Sequence, residues 1–436
     1  MTSPATIASV KGREVLDSRG NPTVEAEVRL SNGVCAHALV PSGASTGTYE
    51  ALELRDKDPQ RFKGSGVLKA VANVDNVIGP ALVGMSSVDQ AAIDQKLIDL
   101  DGTPDKSNLG ANAVLAVSMA TARAAASVDS QQGALWRHLS QGGPVSLPVP
   151  MLNILNGGRH ASNSADIQEF MVLLAGVDTF SQALRAGAEI YQSLKGLLRE
   201  QEQNLNVGDE GGFAPSLPSN RDAIEIVVKA VEAAGYRPGQ DVYLGLDVAA
   251  SELFSEEQDK YVLEREGTAL TAAELVQLYR RWTREYPIIS IEDGLDENDW
   301  EGWAELRRQL GDSVQLVGDD FFVTNITRIQ RGVDSGAANA VLLKPNQIGT
   351  LTETLQALQL ARKAGWGAVM SHRSGETEDT TIADLAVGWN VGQIKTGAPA
   401  RSERVAKYNR LLRIEADLGR EARYSGKETY EYIRLS

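Results

Sequence analysis

The chain has 436 residues, 42% of them hydrophobic and 23% charged. That is beyond the roughly 250 to 300 residues at which a single core stops growing, so two globular domains are expected and a disordered chain is excluded. With 43 basic and 58 acidic side chains the net charge is -15, which repels phosphate backbones and argues against direct nucleic-acid binding.

The first 20 residues lack the apolar core of a signal peptide, and no run approaches the ~20 apolar residues of a membrane span, so cytoplasmic residence is expected. Residues 23–30, TVEAEVRL, alternate: Val24, Ala26, Val28 and Leu30 on one face and Thr23, Glu25, Glu27 and Arg29 on the other, the pattern of a half-buried strand. Asn32-Gly33 supplies a turn that accepts positive φ, and the apolar stretch 34–40 completes an antiparallel hairpin. The single cysteine, Cys35, lies in that stretch, which predicts a buried thiol. Val67, Ala70, Val71, Val74, Val77 and Ile78 recur at helical spacing, and the alanine-rich stretch 109–127 predicts a buried helix. Strands followed by helices suit an α+β domain over residues 1–138.

The Gly- and Pro-rich segment 141–150, QGGPVSLPVP, marks a domain boundary. Beyond it, apolar runs at 241–247, 287–293, 314–320, 339–345, 367–373 and 391–397 alternate with helix signals. Thr271 to Glu274 fits a capping box, and a helix bearing Trp300, Trp303, Leu306 and Leu310 should stop at Gly311. The alternation predicts an α/β class with a parallel β/α barrel over residues 145–436, whose active groups collect at the C-terminal ends of the strands.

Each run ends in charged or polar residues: Asp247, Glu292, Asp319, Lys344, Arg373 with Ser374, and Lys395. Strand-end acids are commonly solvated, but three in successive repeats would repel one another unless a cation or protons intervened. Oxygen-only ligands favour a hard ion, magnesium above all. Positive charge near Lys344 and Lys395 would depress their pKa and make one of them a base. Arg373 and Ser374 offer a grip for phosphate. Three glycine-bearing loops, PSGASTG (41–47), NGGRHA (156–161) and GDEGGFAP (208–215), embed Ser45, His160 and Glu210 and suit lids closing over a substrate.

These strings, together with QEF, GLDVAASE, IEDG, GDDFFVTN, LLKPNQIGT, SHRSGETEDT and GQIKTGAPARSERVAKYN, occur in an order that resembles the enolase family from near residue 11 to about 415. The resemblance implies an enolase-type barrel with an N-terminal capping domain. It also implies a glycolytic and gluconeogenic hydro-lyase interconverting 2-phosphoglycerate and phosphoenolpyruvate with two magnesium ions per site. Asp247, Glu292 and Asp319 would hold the first ion and Ser45 would help hold the second. Lys344 would abstract the α-proton and Glu210 would act as general acid, with Glu169 as its acidic partner. His160, Gln168 and Lys395 would contact substrate, and Arg373 and Ser374 the phosphate. A homodimer or octamer is implied as well. A superfamily dehydratase or racemase acting on unphosphorylated acids would share the carboxylates and the base without needing the phosphate grip.

Overall fold

The computed structural model describes residues 5–43, 47–129, 133–158 and 164–435. Strands β1 (Ile7–Leu16), β2 (Pro22–Leu30) and β3 (Cys35–Leu39) form an antiparallel sheet in that order. The predicted apolar face of β2 is buried, packed under the helix Ala111–Asp129. At the predicted turn Gly33 has φ 89°, and the Val34 N–H donates to Asn32 Oδ1 at 3.1 Å. Strand β1 was not anticipated. Its Ser9-to-Leu16 register runs straight along β2, but a shift between Ile7 and Ser9 interrupts the alternation that would have announced it.

One expectation for this half is corrected. Cys35 is exposed, because it opens an edge strand whose solvent face carries Cys35 and His37 while Ala38 faces the core. The helix expected from Val67 is present and runs unbroken from Leu68 to Leu82, with a π-helical turn over Val74–Ile78 between α-helical ends at Leu68–Asn73 and Gly79–Leu82. Pro80 has no N–H to continue the ladder, and Val77 is exposed. The Ala111–Asp129 helix is apolar enough to cross a membrane by composition, yet 83% of its 18-residue apolar window is buried inside the protein. It is the core helix of this half.

The second half is a closed eight-stranded barrel. The predicted runs become β6 (Tyr243–Asp247), β10 (Ile288–Glu292), β11 (Gln315–Gly318), β12 (Ala340–Leu343), β13 (Gly367–Ser371) and β14 (Gln393–Lys395); β4 (Val149–Asn156) and β5 (Glu169–Leu173) complete the circle. Between β6 and β10 lies a small antiparallel sheet of β7 (Phe254–Ser255), β8 (Lys260–Leu263) and β9 (Thr268–Leu270). The capping box at Thr271 opens the helix Ala272–Glu285, and the helix Trp300–Leu310 has Gly311 as its C-cap.

The barrel is not all parallel, which corrects the sequence expectation: β5 runs antiparallel to both β4 and β6. The link from β4 to β5 carries no α-helix among its described residues, and antiparallel neighbours need no helical crossover. Two helices, Phe180–Glu200 and Asn220–Ala233, then return it to start β6. The reversal matters for the site, since it brings the beginning of β5 to the end where the other strands finish. Below, Tyr430 and Ile433 of the C-terminal tail pack into the barrel's interior cluster. Gln315 Nε2 donates to Ser290 Oγ at 2.9 Å and to Gln393 Oε1 at 3.1 Å. The N-terminal sheet's loops meet the opposite end, where Ala51 N donates to Gln347 O at 2.8 Å and Ser42 bridges Gly375.

Outside the barrel, Trp303 stacks on Phe321 with ring centroids 4.4 Å apart and its indole N–H donates to Asp296 O at 3.2 Å. Trp303→Ala should lower the unfolding free energy by about 3 to 5 kcal/mol. Val83→Ala, at a side chain 54% exposed, should change it by less than about 0.5 kcal/mol. Paired urea titrations check both; equal midpoints for the two variants would contradict the packing described.

Candidate active site

A barrel strand buried along its length presents its first free polar side chain at the mouth. Asp247, Glu292 and Lys395 are the last residues of β6, β10 and β14; Asp319 and Lys344 directly follow β11 and β12, and His372 and Arg373 follow β13. Glu169 joins them from the start of the reversed strand, where it pairs in register with Asp247. The lysines neutralise the acids. Lys395 Nζ lies 2.8 Å from Asp247 Oδ2, 2.8 Å from Glu292 Oε1 and 3.3 Å from Glu169 Oε2. Lys344 Nζ donates to Asp319 Oδ2, and Gln347 Nε2 donates to Asp319 Oδ1 at 2.9 Å. Gln168 Nε2 reaches Asp247 Oδ2 at 3.5 Å.

Burial disfavours charge, and neighbouring carboxylates add repulsion, so the Glu169 and Glu292 carboxyls are pushed well above the ordinary range. Burial pulls the other way on the lysines, but it is outweighed: Asp319 raises Lys344, and Asp247, Glu169 and Glu292 raise Lys395. The depressed lysine anticipated from sequence is therefore not produced by the protein's own groups. It requires positive charge from outside them. Asp319 goes the opposite way from Glu169 and Glu292, since Lys344 at close range overcomes the effect of burial and lowers it.

Asp293, with φ 41°, accepts the backbone N–H groups of Asp319 at 2.9 Å and Asp320 at 2.8 Å, tying the end of β10 to the end of β11. Ligand oxygens of Asp293, Asp319 and Asp320 all lie within 4.8 Å of one another. Burial and Asp319 push the Asp320 carboxyl up to about 8.

The other wall is the GDEGG loop. Gly211 takes φ 89°, and a side chain at Gly212 would lie 2.1 Å from Asn156 Oδ1, so the sharp turn needs both glycines. The loop is pinned by Ala398 N donating to Glu210 O at 2.9 Å. Asn153 Nδ2 donates to Glu210 Oε2 at 3.2 Å, and His372 Nε2 lies 3.4 Å from the same oxygen. Arg373 forks onto Glu50 at 2.9 and 3.1 Å. Gln168, Glu169, Glu210, Asp247, Asp319 and Lys344 line one small cavity with Arg373, Ser374 and Lys395.

Ser45 and His160 lie outside the described residues. Glu50, Asn153, Asp293, Asp320 and His372 belong to the constellation but were not singled out from sequence. The second acids of IED and GDD, and the histidine inside SHRS, were the available signals.

The donor set suits magnesium. It consists of carboxylate oxygens, and Glu292 Oε2 is buried with no hydrogen-bond partner among the described residues. Burial and neighbouring carboxylates raise the Glu292 carboxyl, and a hard dication would relieve that repulsion. Asp247, Glu292 and Asp319 stand at or just after the ends of three barrel strands, while the acids whose ligand oxygens converge within 4.8 Å among the described residues are Asp293, Asp319 and Asp320.

A family model described as "Enolase, N-terminal domain" matches residues 7–139, and one described as "Enolase, C-terminal TIM barrel domain" matches residues 144–433.

The raised carboxyls set a sign for pH dependence. Between pH 6.5 and 8 the folded protein keeps a proton on Asp320 that the unfolded chain has released, so stability in chelator should fall as pH rises. His372, held down to about 4, is neutral in the folded protein across that window, but the unfolded imidazole, near 6.5, is about half protonated at pH 6.5, so this group opposes the slope at the low end and ceases to matter by pH 8. Urea unfolding at pH 6.5, 7.2 and 8 checks this: Asp320→Asn should flatten the slope, and a slope unchanged by the substitution would contradict the assignment.

Proposed function

The chain belongs to the enolase family and is a lyase of that type, and on that basis we propose that it reversibly dehydrates 2-phosphoglycerate to phosphoenolpyruvate. The observation that carries the proposal is the meeting, in one cavity, of Lys344 beside acidic groups, the Glu169–Glu210 pair, and Arg373 with Ser374. Each half of a β-elimination has a candidate group there, and so does a phosphate.

The proton to be removed lies next to a carboxylate, and its loss adds negative charge to a group already anionic. Lys344 is the base in this reading. In its free-amine form it takes the α-proton, and Lys395, locked among three carboxylates, offers fixed positive charge beside the developing ene-diolate. Hydroxide leaves poorly, so Glu210 delivers a proton to the departing oxygen while Glu169 shares the burden of charge. Burial and Glu210 raise the Glu169 carboxyl well above the ordinary range, which suits an acidic pair rather than two anions. Arg373 and Ser374 take the phosphate, and Arg373 must exchange its bond to Glu50 for that ligand. Gln168 and His160 complete the substrate contacts. Magnesium held by Asp247, Glu292 and Asp319, with a second ion helped by Ser45, would supply the positive charge that stabilises the ene-diolate, the general arrangement of enolase-superfamily sites. Cytoplasmic residence and assembly as a homodimer or octamer are proposed on the family resemblance.

The α-proton is exchanged before hydroxide leaves, so the two roles separate experimentally. In D2O with magnesium, wild-type protein should exchange the C2 proton of 2-phosphoglycerate, followed by NMR. Lys344→Ala should lose exchange and elimination together, each by at least about a thousandfold. Glu210→Gln should retain exchange while elimination falls roughly a hundredfold or more. Near-normal turnover by Lys344→Ala, or equal loss of both activities in Glu210→Gln, would overturn the assignment.

A further inference from the structure

Thr324 holds a backbone conformation that its side chain disfavours. Its φ is 56°, and that of Val323 before it is 46°, a left-handed region that β-branched residues enter only at a cost. Strain of this kind persists where the surroundings over-determine it, and it gathers at functional sites. Thr324 is fully buried. Its hydroxyl accepts the backbone N–H of Lys344 at 2.9 Å and donates its one hydrogen to Gln347 Oε1 at 2.8 Å. Leu342 O, at 3.4 Å, is the poorer acceptor.

Gln347, also buried, carries the network on. Its Nε2 donates to Asp319 Oδ1 at 2.9 Å and faces Glu50 Oε1 at 3.4 Å. The amide fits only one way round: turned over, its oxygen would confront the carboxylate oxygens of Asp319 and Glu50, both paired with cations and so acceptors. Asp319 Oδ2 in turn receives Lys344 Nζ. The bonds close a ring that leaves Lys344 at its backbone N–H, passes through Thr324, Gln347 and Asp319, and returns to the Nζ of the same lysine. We infer that Thr324 and Gln347 are positioning residues for the base, a buried pair that fixes Lys344 at its backbone end and holds Asp319 beside its amine. The inference rests on the reading of Lys344 as the base.

The need for such a device follows from the lysine itself. A four-carbon stem is flexible, whereas a base must stand within hydrogen-bond reach of the proton it takes, and a misplacement of about 1 Å can cost on the order of a hundredfold in rate. The ring sets where the stem starts and where Asp319 waits. Because Gln347 keeps Asp319 Oδ1, the carboxylate does not follow Nζ when the amine turns to the α-proton. No proton travels around the ring, and the chemistry stays with the amine. Two backbone bonds anchor the pair further: Gln347 N donates to Lys344 O at 2.9 Å, and Ala51 N of the N-terminal half donates to Gln347 O at 2.8 Å. A glycine at position 324 would relieve the strain but would bring no hydroxyl, so the costly residue is the one the ring requires.

The first measurement reads the ring without turnover. In full-length protein free of magnesium and substrate, the Lys344 backbone N–H should be protected from hydrogen exchange. Thr324→Val should speed that exchange at least about tenfold, and Thr324→Ser should leave it within about threefold of wild type. An unprotected N–H in the wild type, or exchange unchanged in folded Thr324→Val, overturns the proposal. The second arm follows α-proton exchange and elimination of 2-phosphoglycerate with magnesium in D2O. Because both residues act through the base, Thr324→Val should lower the two rates by one factor, roughly tenfold or more, with KM within about threefold, and Thr324→Ser should restore them. Gln347→Glu keeps the shape but loses the donor, so its rates should fall below those of Gln347→Met. Near wild-type rates in Gln347→Glu, or a Thr324→Val that raises KM and leaves kcat, contradicts the assignment. Where Thr324→Val does not fold, Gln347→Met supplies the same comparison of the two rates. Retained α-proton exchange in Lys344→Ala would instead defeat the reading of the base, on which the hydrogen exchange of the Lys344 N–H does not depend.

Discussion

Carboxylates buried at the mouth of the barrel cannot all be charged unless something positive stands among them, and the arrangement of this half of the protein follows from that constraint. Lys395 meets three acids at once and Lys344 meets a fourth. Asp293 answers a different need, accepting backbone N–H groups at the start of the loop after β11. Even so, Glu169, Glu292, Asp293 and Asp320 remain raised by burial and by one another. Repulsion among these buried acids is what a dication, or an anionic substrate with its counter-ions, would relieve.

The same constraint explains the reversed strand. In an all-parallel barrel Glu169 would sit at the closed end, buried with the Gln315–Gln393 pair and away from any ligand. With β5 antiparallel, its first residue pairs with the last residue of β6. Acid and counter-ion then meet at the mouth without a longer loop. The glycines of GDEGG serve the same end from the opposite wall, since a side chain at Gly212 would collide with Asn156 and displace the turn that carries Glu210.

Much of this was legible in the sequence, because a barrel strand is apolar to its end and its terminal charge is conspicuous. Asp247, Glu292, Asp319, Lys344, Arg373 and Lys395 stand where that pattern puts them. The roles proposed for them came from the family strings and not from the spacing. What escaped was whatever depends on direction or on three-dimensional meeting. Strand direction is not written in alternation, so β5 was missed, and Cys35 was misplaced because an edge strand can carry an apolar-looking residue on its wet face. The lysines' pKa was anticipated with the wrong sign for the protein's own groups, since the distance from Lys395 to three carboxylates is a property of the closed barrel. Arg404, buried in the helix Ser402–Leu418, donates to Asp209 O across 195 positions of sequence, and nothing local announces that contact.

The central claim is that these buried charges serve an elimination on phosphoglycerate that depends on a divalent cation. Ultraviolet absorbance reports phosphoenolpyruvate directly, so the decisive measurement is its formation from 2-phosphoglycerate by the purified protein, with magnesium and again after chelation. Rapid product formation that stops on chelation and returns when magnesium is restored is the predicted result. No turnover by folded protein with magnesium, or turnover indifferent to chelation, would contradict it.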